Sequence, residues 1–130
     1  MATAVLWLPD GFVDLELNPE LVEEIVRVAF IAYGYYLTSE RGWYRGLPRL
    51  FFVKALGAGI KCIAKNRGNE NDDDDFRYCA ELRGKNQLNP MSMVDVQVCY
   101  TVPRFSTPLD YPNVDRRTIS VKIIKKDREL

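Results

Sequence analysis

The 130-residue chain contains no histidine. That absence removes the Ser-His-Asp and Cys-His ways of activating a nucleophile, histidine metal ligation, and the commonest general base near neutral pH. Any acid-base chemistry would fall to Asp, Glu, Lys, Tyr or Cys. The chain also lacks net charge, with 18 basic and 18 acidic residues. A bulk attraction to nucleic acid or to a membrane surface is therefore not indicated. No apolar run approaches the roughly 20 residues needed to span a bilayer, and residues 1–17 lack a basic start followed by an apolar run. The expected location is cytoplasmic, or inside a particle such as a virion. Cys62, Cys79 and Cys99 are odd in number and widely spaced. Such spacing suits buried reduced thiols rather than a disulfide framework or a zinc site.

What is present begins with one strong helical pattern, Asn18 to Arg41. Asn18 suits an N-cap, Pro19 the first helical position, and Glu20, Glu23 and Glu24 complement the positive end of the helix dipole. Val22, Ile25, Val26, Ala29, Tyr33, Tyr36 and Leu37 recur at spacings of three and four, forming an apolar stripe, and Glu23 sits four before Arg27. Beyond Arg27 the pattern is apolar on nearly every side, including Phe30, Ile31 and Tyr35. The second half of the helix should therefore be buried or covered by a partner. Arg41 and Gly42 suit its end.

The rest reads as strand. Residues 3–8 form a short apolar run closed by the turn signal Pro9-Asp10-Gly11, and residues 10–17 read as a connector. Residues 43–67 admit two readings. As a helix from Pro48, Leu50, Val53, Leu56, Ile60 and Ile63 share a face. As a hairpin, two β-competent runs meet at Gly57-Ala58-Gly59, and two glycines in three residues are costly inside a helix. The hairpin is the better reading on propensity. Residues 66–75 form an acidic polar loop. Phe76 to Arg83 alternates, with Phe76, Tyr78, Ala80 and Leu82 against Arg77, Cys79, Glu81 and Arg83; Val94 to Val102 alternates likewise. Pro103, Pro108 and Pro112 mark residues 103–115 as an irregular excursion, and Thr118 to Lys125 is the last strand. The expected architecture is a single α+β domain: an N-terminal strand, then one long helix on an antiparallel meander of about five strands. Such a layout is shared by unrelated proteins and carries no function of its own.

Charge is sorted along the chain. Residues 1–24 hold six acids and no base, and residues 41–67 hold seven bases and no acid. Residues 70–75 hold five acids, and residues 116–128 hold six bases against Asp127. These blocks can neutralise one another within a monomer, or mate an acidic surface of one copy with a basic surface of the next. The candidate interface residues are Arg41, Arg45, Arg49, Lys54, Lys61, Lys65, Asp72, Asp73, Asp74, Phe105, Tyr111, Arg116 and Arg117.

Other features are weaker. The basic stretch 41–67 interleaves with Trp43, Tyr44, Phe51 and Phe52, the makings of a nucleic-acid platform, though neutral overall charge argues against one. The acids of 69–75 lack the glycine and distant glutamate of an EF-hand loop, so no metal site is expected. Gly57-Ala58-Gly59 lacks the lysine of a phosphate loop. Tyr33, Tyr35, Tyr36, Trp43 and Tyr44 could line a pocket between helix and sheet, but core packing is the commoner role of such residues. The sequence thus points to a non-enzymatic structural or interaction subunit without cofactor. Its partners would be copies of itself or another assembly subunit, for instance of a phage or virus particle. The alternatives are a small-ligand-binding or enzymatic domain with a pocket under the helix, and a nucleic-acid binder using residues 41–67.

Overall fold

A computed structural model describes residues 8–15, 18–39, 47–63, 75–89, 91–103 and 109–125, apart from the Phe52 and Lys125 side chains. Strand β1 is Val13–Asp14, helix α1 is Pro19–Thr38, and strands β2 to β5 are Leu50–Ile63, Asp75–Asn86, Met93–Val102 and Asp115–Lys125. A turn of 3-10 helix, Tyr111–Asn113, precedes β5. The five strands form one antiparallel sheet in the order β1-β2-β3-β4-β5, with α1 packed on one face. This is the α+β arrangement that the periodicity implies.

Helix α1 starts where its cap chemistry dictates. The Asn18 side chain accepts a hydrogen bond from the Leu21 N–H, and Pro19 follows it. At the other end the helix stops at Thr38, and Ser39 donates to the Tyr36 carbonyl from both its N–H and its hydroxyl. Arg41 and Gly42, expected to close the helix, lie outside the described residues.

The core forms between α1 and the facing side chains of the sheet. Ile25, Val28, Ala29, Ala32, Tyr33 and Tyr36 meet Ala58, Ala80, Leu82, Val96, Val98, Ile119 and Val121. Each strand supplies alternate residues to this layer because its side chains point to opposite faces in turn. Tyr100 anchors the layers: its ring lies 5.6 Å from that of Tyr78, and its hydroxyl donates to the Ile25 carbonyl at 2.9 Å.

Three expectations need correction. Residues 50–63 are neither hairpin nor helix but one strand that continues through Gly57-Ala58-Gly59, with register shifts at Phe51/Lys54 and Ala55/Gly57. A Cβ on Gly59 would stand 2.6 Å from Leu8 Cδ1 and 3.0 Å from the Val13 carbonyl oxygen. Glycine is there to admit neighbouring chain, not to turn. Second, the N-terminal strand pairing is Val13–Asp14 with Gly59 and Ile60, within the stretch read as a connector; residues 1–7 lie outside the described residues. Third, Cys79 and Cys99 are not reduced thiols. They are register partners on β3 and β4 and form a disulfide, leaving Cys62 free and exposed.

Candidate functional site

The outward side of α1 changes character along its length. Glu20, Glu23, Glu24 and Arg27 are exposed in the first turns. Past them come Phe30, Ile31 and Tyr35, large side chains that are 43, 42 and 37% exposed. The all-round apolar pattern past Arg27 is thus real, but this side of it is open among the described residues. Gly34 sits in the middle, and a Cβ placed there would meet nothing within 4 Å.

Beside Gly34 lies a half-open hollow of about 380 Å³. The helix lines it with Phe30, Ile31, Tyr33, Gly34 and Leu37; Arg49, Leu50 and Phe51 at the start of β2 and Gln87 just past β3 form the opposite wall. The β2 and β3 ends are held together here, since the Gln87 N–H donates to the Arg49 carbonyl at 2.8 Å. The Tyr33 hydroxyl donates to the Pro48 carbonyl. Burial lifts the Tyr33 pKa far above the ordinary tyrosine range, which holds this hydroxyl in its protonated form. The remaining polar groups of the hollow belong to Arg49 and Gln87. A guanidinium and an amide beside apolar walls can orient an anion or an amphiphile, but they include no base.

The opposite face of the sheet is polar, and several of its side chains are buried. Glu81 is 1% exposed and accepts a hydrogen bond from Gln97 at 3.2 Å. Arg83 grips Asp95 through two bonds of 2.7 and 3.0 Å, and the bonded carboxylate raises the Arg83 pKa. Arg77 donates to the Thr101 hydroxyl, the Thr118 carbonyl and the Ser120 hydroxyl, stitching β3, β4 and β5 together. The Cys79–Cys99 bond lies among these groups. Buried Glu81, Asp95, Gln97 and Thr101 are thus bonded to neighbouring polar groups on the same face, the arrangement expected of a structural network.

Those candidate interface residues that are among the described residues do not converge on one spot. Arg49 lines the hollow, and Lys54 is exposed on β2. Lys61 turns towards β1, its ammonium 5.7 Å from the centre of the Phe12 ring and 3.4 Å from the Asp10 carbonyl. Tyr111 is half-buried, and burial raises its pKa. Arg116 packs 5.4 Å over the Tyr35 ring, and Arg117 pairs with Asp115. Arg41, Arg45, Lys65, Asp72, Asp73, Asp74 and Phe105 lie outside the described residues, as do Trp43 and Tyr44. The acidic loop is described only at Asp75, and no group of three or more potential metal ligands occurs among the described residues. Of the aromatic cluster, Tyr33 and Tyr36 are core, while Tyr35 is partly exposed.

Sequence reasoning missed Phe30, Ile31, Gly34, Leu37 and Gln87 as a group. Their only sign was the excess of apolar residues on α1, and their grouping depends on where β2 begins. No helix among the described residues is long and apolar enough to cross a membrane. Comparison with protein-family models, curated proteins and solved structures gives no match.

Proposed function

We propose that this chain is a non-enzymatic interaction subunit that associates with copies of itself, as a component of a particle such as that of a phage or virus would. The observation that carries this reading is the outward half of α1. Phe30, Ile31 and Tyr35 surround an open Gly34, and a contiguous exposed apolar patch beside charged residues marks an interaction surface. The sorting of charge into acidic and basic blocks along the chain supports it, since such blocks on different surfaces can meet between copies.

Light scattering on size-fractionated protein, across a range of concentrations at low and high salt, tests the reading. The expected outcome is a mass above that of the monomer, falling on dilution and shifting with salt. A monomer under every condition overturns it. A small-ligand reading draws on the hollow, whose volume falls in the range of small-molecule sites. It predicts instead a monomer that binds an apolar anion such as anilinonaphthalene sulfonate, with loss of that binding in Gly34→Phe.

A further inference from the structure

We infer that two copies of this chain pair α1 against α1 in antiparallel fashion about a two-fold axis, Phe30 of each copy seating beside Gly34 of the other. The inference rests on the self-association reading and specifies its geometry.

The surface is complementary to itself in shape. Phe30 and Ile31 project, while Gly34 is a gap with an apolar hollow next to it. Phe30 and Gly34 are four residues, about 6 Å, apart along the axis and on neighbouring angles of the same face. A two-fold axis midway between them brings each projection to the other copy's gap. A two-fold contact uses one patch twice, so both halves of the match must lie on one surface, as they do here. Small residues at such a crossing let helices approach closely and ridges enter grooves.

The surface is also complementary in charge. The outward face runs from an N-terminal end where Glu20, Glu23 and Glu24 outnumber Arg27 to a C-terminal half flanked by Arg49 and Arg116. Antiparallel pairing lays the acidic end of each helix towards the basic-flanked end of the other. Residues on the hollow side of one helix stay on the hollow side of its partner under this symmetry. Glu23 is on that side and so extends towards the second copy's Arg49. A parallel pairing would instead place glutamates beside glutamates. Head-to-tail packing would leave one projection and one hollow unmatched at each end.

The full-length protein tests this by light scattering and sedimentation at low salt. The unsubstituted chain should be a dimer. Ile31→Glu should give a monomer with an unchanged circular dichroism spectrum and a cooperative melt whose midpoint no longer depends on protein concentration, because Ile31 takes no part in the core. Glu23→Arg and Arg49→Glu should each weaken the dimer about tenfold, since each reverses two symmetry-related contacts. The double variant carrying both should recover the original affinity, because in a two-fold contact the swapped charges meet again in both places. An unsubstituted chain that is monomeric throughout overturns the association reading and this geometry together. An oligomer that survives Ile31→Glu leaves association standing and overturns the helix pairing. A double variant no tighter than the single ones overturns the antiparallel register.

Discussion

Single side chains on α1 show what each half of the helix is for. Gly34 faces open space in mid-helix, where glycine costs backbone entropy that alanine does not. Gly34→Ala should therefore stabilise the monomer by about 0.5 to 1 kcal/mol, read as a higher urea midpoint at unchanged slope. A decrease would show that the site is closed. Tyr33 behaves oppositely. Its hydroxyl is committed to the Pro48 carbonyl, and Tyr33→Phe should cost about 1 kcal/mol. Burial raises the pKa of Tyr33 above that of an unfolded tyrosine, so the folded state holds its proton more tightly. The resulting stabilisation is fully present below about pH 10 and is lost as pH rises beyond it. Urea unfolding between pH 9 and 11 should show stability falling at the alkaline end. The fall should be shallower in Tyr33→Phe, though not absent, because burial raises Tyr78 and Tyr100 too.

Among the elements, β3 and β4 carry the strongest cross-links. The disulfide joins cysteines 20 residues apart. In denaturant without reductant the protein should show one thiol, Cys62, and three after reduction; three before reduction would refute the bond. A Cys79→Ala, Cys99→Ala variant should lose about 3 kcal/mol, the value expected for a loop of this length. A short way along the same face, Arg83→Ala would leave the Asp95 carboxylate without its guanidinium, and Asp95 is 8% exposed while Arg83 is 30% exposed. The loss should be about 2 kcal/mol, measurable by thermal or urea unfolding. The alternation of residues 76–83 and 94–102 already placed Cys79 and Cys99 on one face. It could not say that they sit opposite each other. That depends on register, which the 87–92 connection sets and no local pattern reveals.

For the whole molecule, association and fold make separate demands on the same helix. The inward stripe is needed in every copy for folding, whereas Phe30 and Ile31 should be dispensable to the monomer. A Phe30→Ser, Ile31→Ser protein should remain folded and become monomeric at concentrations where the unsubstituted chain is a dimer, with apolar dye binding reduced. Loss of cooperative unfolding in that variant would place both residues in the core instead. Local rules were enough for the identity of α1 and of β3, β4 and β5. A period near four gave α1, a period of two gave β3, β4 and β5, and Asn18-Pro19 gave the helix start, because these follow from backbone geometry and neighbouring side chains alone. Local rules failed at Gly57-Ala58-Gly59, where a turn signal lies inside a strand. The deciding fact, Leu8 and Val13 pressed against Gly59, comes from residues more than 40 positions away in the chain. The same holds for the burial of Glu81 and Gln97, for the Cys79–Cys99 bond and for the hollow beside Gly34. The sequence by itself determined helix α1, strands β3 to β5 and which of their faces are apolar. Only tertiary structure decided which faces are covered and which side chains meet, because contacts across strands and layers depend on register and packing that no short stretch of chain encodes.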